Sequence, residues 1–180
     1  MRLLYQRRLV QVRGGNASII DRDKGIIYIS PSGLPRHTVT REDTAIIRPD
    51  GTILKGHPSS EWRLHTAIYQ AIPEAKAIVH AHPPHAITAG ELGVRLRPEI
   101  LSEAAYSLEC ITLVEYIKPG TWELARATAE SLKRSGCRAA ILKRHGAVVY
   151  SDKTIYHALD AMEALEDLAA ITLRLGKLIQ

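Results

Sequence analysis

The sequence His80-Ala81-His82 ends a short apolar segment that predicts a β-strand. Side chains alternate along a strand, so residues two apart point to the same side and both imidazoles can reach one metal ion. Pro83-Pro84 ends the strand directly after them and places the two histidines at its exit. The alternative is a pair of histidines satisfied by hydrogen bonds at a sheet edge.

A third histidine can complete this set. His145 precedes a glycine and follows the apolar run 139–142, which predicts a strand that delivers His145 to a turn. If this strand lies beside the first, the three histidines converge. Three protein ligands with one open position are typical of catalytic zinc, whereas structural sites are closed by four ligands. Taken alone, His145 is also explained as an ordinary loop residue.

The triplet Ser59-Ser60-Glu61 follows a proline, and the apolar spacing after it predicts a helix that starts here. Free backbone N–H groups and the positive end of the helix dipole favour anions at such a terminus. The two hydroxyls add donors for a phosphate, and Glu61 is a candidate metal ligand or general base. The alternative is a capped helix whose acidic residue complements the dipole.

Two further turns are rich in small residues. Residues 14–18 lie before one predicted strand and residues 30–33 follow another. Backbone N–H groups and hydroxyls in either turn are suited to a phosphate, although ordinary turn chemistry also explains them. The glycine turn lacks the Gly-Lys-Ser/Thr of a nucleotide-binding loop.

The elements that must position these residues are short strands interleaved with helices. Strands are predicted at residues 16–20, 25–30, 44–48, 52–54, 77–82, 111–116, 139–143 and 147–150. Helices are predicted at residues 2–12, from Pro58 to Pro73, and at 85–91, 121–134 and 153–177, with 92–109 unassigned. The early hairpins argue against a wholly parallel sheet. We therefore expect one α/β domain over residues 1–180, with a central mixed or antiparallel sheet and helices on both faces.

The net charge of +5 reflects 24 lysines and arginines against 19 acidic residues. Most of the surplus lies in four arginines that precede the first acidic residue, Asp21. Nucleic-acid modules show a basic stripe through the fold, and the rest of this chain is nearly balanced. We predict no nucleic-acid partner.

The apolar runs and the cysteines indicate where in the cell the protein is expected. No apolar run approaches the ~20 residues of a membrane-spanning helix, so we predict no membrane partner. Cys110 and Cys137 have neither metal-ligand nor redox spacing. We expect them as separate apolar side chains in the core, and a reducing, cytoplasmic location.

Five of these motifs, in this order, resemble the class II aldolase/adducin family over residues 3–175. They are Gly15-Asn16-Ala17-Ser18, Ser30-Pro31-Ser32-Gly33, Pro58-Ser59-Ser60-Glu61, His80-Ala81-His82 and Arg144-His145-Gly146. The resemblance implies reversible cleavage of a ketose 1-phosphate, such as L-fuculose 1-phosphate, to dihydroxyacetone phosphate and a small aldehyde such as lactaldehyde.

The same resemblance implies roles for individual residues. His80, His82 and His145 would hold one Zn²⁺ per subunit, and Glu61 would join the ion without substrate and act as the proton-abstracting base. The substrate phosphate would lie among Gly15, Asn16, Ser32, Gly33, Ser59 and Ser60. The proton donor is assigned to Tyr106, with Tyr116 as the other candidate. We also expect a homotetramer with its active site at a subunit boundary.

Other functions of the same superfamily remain open at this point. A sugar-phosphate 4-epimerase and a methylthioribulose-1-phosphate dehydratase would use a similar zinc site. An adducin-like interaction domain without catalysis is the alternative from another class, but such domains lack the zinc histidines.

Overall fold

The computed structural model describes residues 1–178, which form one eight-stranded sheet between two layers of helices. The strands are β1 (Asn16–Asp21), β2 (Ile26–Ile29), β3 (Ala45–Ile47), β4 (Ile53–Lys55), β5 (Ala77–Ala81), β6 (Ile111–Val114), β7 (Ala139–Leu142) and β8 (Gly146–Ser151). The helices are α1 (Arg2–Gln6), α2 (Trp62–Ala71), α3 (Pro84–Glu91), α4 (Ser102–Ser107), α5 (Trp122–Ser135) and α6 (Ile155–Leu178), with a 3₁₀ turn at Pro98–Ile100. The last two residues of the predicted domain lie outside the described part.

The sheet has the strand order β4-β3-β2-β1-β5-β8-β7-β6. Only the pair β6–β7 is parallel, and every other neighbouring pair is antiparallel. Helices α2 and α5 cover one face, and α1, α3, α4 and α6 cover the other. The predicted α/β fold with a mixed sheet and helices on both faces is confirmed.

The central strands β5 and β8 are buried along their whole length because helices cover both sides of them. Their side chains alternate between two cores: Ile78 packs with the α2–α5 layer, whereas Val79 and Ala81 pack with the α6 layer. The sequence of a strand that is buried on both faces is typically a continuous apolar run. A polar residue in such a strand, as His80 is in β5, therefore needs a specific partner.

The N-terminal helix is shorter than the prediction, which extended it to residue 12. It ends at Gln6, and Arg8 adopts a left-handed backbone conformation with φ of 60°. The chain turns there because Leu9 and Val10 enter the core. The Leu9 carbonyl also accepts the backbone N–H of His82 at 2.7 Å, which ties the N-terminal segment to the end of β5.

The unassigned segment 92–109 holds the 3₁₀ turn and α4, and α4 contributes the buried Ala104 to the core beside α6. Among the described residues, no helix is both long and apolar enough to cross a membrane.

The prediction of two separate core cysteines is wrong, because Cys110 and Cys137 form a disulfide. Each cysteine lies just before one of the parallel strands β6 and β7, in which Ile111 is paired with Ala139. This pairing brings the two Cα atoms to 4.9 Å. The cysteines therefore no longer support a reducing location.

Replacing Cys110 by serine is expected to lower the free energy of unfolding by about 3 kcal/mol, because the bond closes a loop with a sequence separation of 27. Guanidinium denaturation with and without dithiothreitol measures this. The wild type should lose the same stability on reduction, whereas the variant should not respond to the reductant. Equal stability of the variant and the oxidised wild type would contradict the prediction.

Candidate active site

Strands β5 and β8 bring the three predicted ligands together. His80 lies in β5 and His82 follows that strand directly, while His145 occupies the turn between β7 and β8. β5 and β8 are antiparallel neighbours, with Ala81 opposite Ala147. The start of β8, and the turn that carries His145, therefore lie beside the exit of β5. The strand predicted to lie beside β5, over residues 139–142, is β7, and it is separated from β5 by β8. His145 still reaches the other two histidines, because β8 begins directly after it.

The three imidazoles converge on one point. One nitrogen of each ring lies within 4.8 Å of those of the other two. The ring centroids of His80 and His145 are 4.6 Å apart, those of His80 and His82 are 5.1 Å apart, and those of His82 and His145 are 5.6 Å apart. This spacing suits one ion held by three nitrogen atoms.

Hydrogen bonds orient two of these rings for a ligand role. Nδ1 of His80 donates to the Ala147 carbonyl at 3.0 Å, and Nδ1 of His82 donates to Oε1 of Gln11 at 2.7 Å. Each Nε2 then carries a lone pair. Histidines that bind metals use their other ring nitrogen in this way.

Two buried ring nitrogens of the set have no partner among the described residues: Nε2 of His80 and Nδ1 of His145. Unpaired buried polar atoms are costly, and a metal ion would satisfy them. Burial lowers the pKa of all three histidines, that of His145 to about 4, so the rings are neutral at neutral pH. Three neutral imidazoles form a donor set that fits Zn²⁺.

Gly146 is required by the close packing of this group. An added Cβ would overlap the Ala81 carbonyl oxygen, and it would lie 2.9 Å from Cδ2 of His82 and 3.1 Å from Cε1 of His80. Backbone and two candidate ligands would all have to shift.

Replacing Gly146 by alanine is therefore expected to weaken Zn²⁺ binding by at least about 10-fold, the lower end of the effect of losing a contact that supports a ligand. Calorimetric titration of the metal-free protein with Zn²⁺ measures this. Gly176→Ala is the matched control, because an added Cβ meets no atom there within 4 Å. Wild-type affinity in the Gly146 variant would contradict the prediction.

Glu61 is 8% exposed and forms the N-cap of α2. The helix therefore begins at Trp62, two residues after Ser60, and not at the serines as predicted. Burial raises the pKa of its carboxyl group, and a hydrogen bond from the Gly120 backbone acts in the opposite direction. Among the described residues, Glu61 is not part of the group whose ligand atoms lie within 4.8 Å of one another. The structure thus places Glu61 beside Gly120, and not in direct contact with all three histidines.

The two serine-containing turns lie side by side. The backbone N–H of Ser32 donates to the His57 carbonyl at 2.9 Å, and that of Ser59 donates to the Ser30 carbonyl at 3.1 Å. Ser59 is buried, whereas Ser32 and Ser60 are exposed, as is Gly33 next to Ser32. Two of the predicted phosphate-binding segments are therefore joined in the fold.

The glycine turn leads into β1 next to the histidines. Asn16 is paired with His80 across β1 and β5. Gly15 has a φ of 64°, and an added Cβ would lie 2.8 Å from the His80 carbonyl oxygen. The third predicted phosphate-binding segment thus adjoins the candidate metal ligands.

Sequence reasoning missed Arg36, which is 3% exposed. Its guanidinium donates to the carbonyl oxygens of Gly14, Pro31 and Arg13 at 2.9, 2.7 and 2.9 Å. Arg36 therefore clamps the glycine turn to the first serine turn. No local pattern reveals it, because two of its partners lie more than 20 residues away in the chain.

The structure does not bring the candidate proton donors into the histidine group. Tyr106 is 85% exposed and lines a cavity between α4 and α6 that contains none of the other predicted site residues. Tyr116 lies under the Arg144 guanidinium at 5.4 Å, and Arg144 is the neighbour of His145 in the chain. His85 follows His82 by three residues, but its ring is hydrogen-bonded to Glu166 and it is not part of the metal-ligand group.

A sheet with helices on both faces and three imidazoles converging at the ends of its central strands defines an α/β protein with a group of side chains that could hold a metal ion. The family described as Class II Aldolase and Adducin N-terminal domain matches residues 1–173. The chain belongs to this class II aldolase/adducin family, as its motifs predict. Relatives that match over more than nine-tenths of the chain are named as aldolases, and one that matches over 49% of it is named as an L-ribulose-5-phosphate 4-epimerase.

Two relatives and one solved structure illustrate the similarity. An L-fuculose phosphate aldolase of Methanococcus maripaludis is 38% identical over 94% of this chain and 90% of its own length. A 5-deoxy-D-ribulose 1-phosphate aldolase of Bacillus thuringiensis serovar kurstaki is 34% identical over 91% of this chain and 76% of its own. The crystal structure of L-fuculose-1-phosphate aldolase from Thermus thermophilus matches with a TM-score of 0.86 and 30% identity, covering 98% of this chain and 91% of that one.

Proposed function

We propose that this class II aldolase is zinc-dependent and cleaves L-fuculose 1-phosphate, or a similar ketose 1-phosphate, reversibly to dihydroxyacetone phosphate and a small aldehyde such as lactaldehyde. The observation that carries the proposal is the convergence of His80, His82 and His145, with unpaired ring nitrogens, beside turns suited to a phosphate. The relatives that are named as ketose-1-phosphate aldolases support the substrate class.

The three histidines would hold the metal ion. Bound there, Zn²⁺ would supply a Lewis acid that stabilises the negative charge left on the substrate when the carbon–carbon bond breaks. The neutral state of the rings favours this role because no proton must be displaced on binding.

Glu61 is the proposed base. In the direction of synthesis its carboxylate removes a proton from the hydroxymethyl carbon of dihydroxyacetone phosphate, and in cleavage the carboxyl group returns that proton to the carbon. Burial suits this role, because the raised pKa makes the carboxylate a stronger base than an exposed one.

The phosphate is proposed to lie among the three small-residue segments, which supply Gly15, Asn16, Ser32, Gly33, Ser59 and Ser60. Binding energy from this non-reacting group orients the carbon that reacts. The clamp formed by Arg36 holds two of these segments in a fixed relation before substrate arrives.

An aldol assay with metal control tests the function. The protein is mixed with dihydroxyacetone phosphate and a series of small aldehydes, with and without a chelator, and its metal content is determined. Chelator-sensitive carbon–carbon bond formation supports the proposal, and the ranking of aldehydes defines the specificity. A preference for the aldehyde that yields 5-deoxy-D-ribulose 1-phosphate would shift the assigned substrate to that sugar.

Three other outcomes would contradict the proposal, and each would indicate a different function. Interconversion of pentulose phosphates without net cleavage would indicate a 4-epimerase, and dehydration of methylthioribulose 1-phosphate would indicate a dehydratase. Absence of every activity in the metal-loaded protein would indicate an interaction domain. A homotetramer with its site at a subunit boundary and a cytoplasmic location are also part of the proposal. A role for Tyr106 as proton donor depends on that boundary, because Tyr106 lies outside the histidine group of its own chain.

A further inference from the structure

A line of four buried polar side chains links α2 to the first residue of β1. Tyr69 Oη lies 2.8 Å from Ser18 Oγ, and Ser18 Oγ lies 2.6 Å from Nδ1 of His65. Nε2 of His65 is hydrogen-bonded to Oδ1 of Asn16. All four residues are buried, and His65 is fully so.

The direction of every hydrogen bond in this line follows from its last member. Oδ1 of Asn16 is a carbonyl oxygen and can only accept, so Nε2 of His65 carries the proton. Burial lowers the pKa of His65 to about 3, so the ring is neutral and Nδ1 must accept. Ser18 then donates to His65 and accepts from Tyr69.

This polarity fixes which end of the Asn16 amide is free. The carbonyl end is held by His65, which leaves the two N–H donors of the amide nitrogen for another partner. Asn16 is paired with His80 across the sheet, so the amide lies next to the candidate metal ligands. A reversed amide would present an oxygen atom to an anion at the same place.

We propose that His65 is a positioning residue for the phosphate group: it holds the carbonyl end of Asn16, so that the amide N–H groups face the anion. This inference rests on the proposed function, which places the phosphate at Asn16. His65 itself touches neither the phosphate nor the reacting carbons. Its effect is therefore confined to ligands that carry a phosphate.

Two substitutions separate the two ring nitrogens of His65. In His65→Gln the amide nitrogen reaches the position of Nε2 and can still donate to Asn16. In His65→Asn the shorter amide ends near the position of Nδ1, so it keeps the contact with Ser18 and loses Asn16. Tyr69→Phe is a third variant, which removes the donor at the far end of the line without changing the packing volume much.

The affinity of the metal-loaded protein for inorganic phosphate is measured by calorimetry, and KM and kcat are measured with dihydroxyacetone phosphate and with dihydroxyacetone. We expect His65→Asn to weaken phosphate binding and to raise KM for dihydroxyacetone phosphate by about 10- to 100-fold, the effect of one hydrogen bond to a charged group. The preference for the phosphorylated over the unphosphorylated substrate should fall by the same factor. His65→Gln should recover most of this loss, and Tyr69→Phe should shift the same quantities by a smaller factor.

The outcomes distinguish this inference from the proposed function. Equal losses with both substrates, no recovery in His65→Gln, or unchanged phosphate affinity in a folded His65→Asn would overturn the role of His65. If the wild type binds phosphate but forms no carbon–carbon bond, the proposed function fails, while the calorimetric comparison still decides the role of His65. A wild type that does not bind phosphate would overturn the inference directly. Thermal unfolding of each variant shows whether it is folded.

Discussion

Replacing Glu61 by glutamine is expected to lower the aldol turnover by about 1,000-fold, within the range that a positioned general base contributes. The glutamine side chain has the same size, and its oxygen can still accept the hydrogen bond from the Gly120 backbone. It cannot take a proton from carbon. The metal content and the affinity for inorganic phosphate should therefore stay close to those of the wild type.

The proton-abstraction step can be followed without any aldehyde. Exchange of the carbon-bound hydrogen of dihydroxyacetone phosphate in deuterated water, observed by nuclear magnetic resonance, reports on the base alone. The exchange rate of Glu61→Gln should fall as much as the turnover does. Glu123→Gln is the matched control, because Glu123 lies in the first turn of α5 and is exposed. Near-normal exchange and turnover in Glu61→Gln would remove Glu61 as the base.

Part of the arrangement of the histidines could be predicted, because it rests on short-range rules. The two-residue period of a strand aligns His80 with His82. The turn at Gly146, before β8, marks the place of His145. The prediction depended on the strand over residues 139–142 lying beside that of His80, but β8 lies between β7 and β5, and no local pattern encodes this order. The structure supplies the pairing of β5 with β8, with His80 opposite Val148.

The supporting contacts of the site could not be predicted, because their partners are distant in the chain. Gln11 reaches His82 from 71 residues away, and Asn16 reaches His65 from 49 residues away. Arg36 donates to backbone carbonyl oxygens, which every residue type has, so no sequence motif marks its partners. Such contacts depend on the finished fold and not on a motif.

The cysteine prediction failed for the same reason. Spacing alone gave Cys110 and Cys137 no shared role, because the segment between them forms β6, a connection and α5. Only the parallel pairing of β6 with β7 aligns the two positions. The mixed character of the sheet was predicted, but the strands that make it mixed were not.

Replacing His145 by alanine is expected to weaken Zn²⁺ binding by more than about 100-fold, the upper end of the effect of losing a contact that merely supports a ligand. Among the described residues, the candidate metal group consists of three histidines only, so the variant retains two nitrogen ligands. His145 is better suited to this test than His80, since His80 is fully buried and its removal would also leave a cavity in the core. Aldol activity should fall below detection at metal concentrations that saturate the wild type.

Metal content after dialysis, calorimetric Zn²⁺ titration and the aldol assay together measure this effect. His157→Ala is the control, because His157 is exposed on α6 and is hydrogen-bonded to Thr154. It removes one histidine and should leave both metal content and activity unchanged. Addition of a chelator should lower the melting temperature of the wild type and of His157→Ala, because an ion that binds only the folded state stabilises it. The melting temperature of His145→Ala should not respond. Retention of one tightly bound ion by His145→Ala would show that other residues hold the metal.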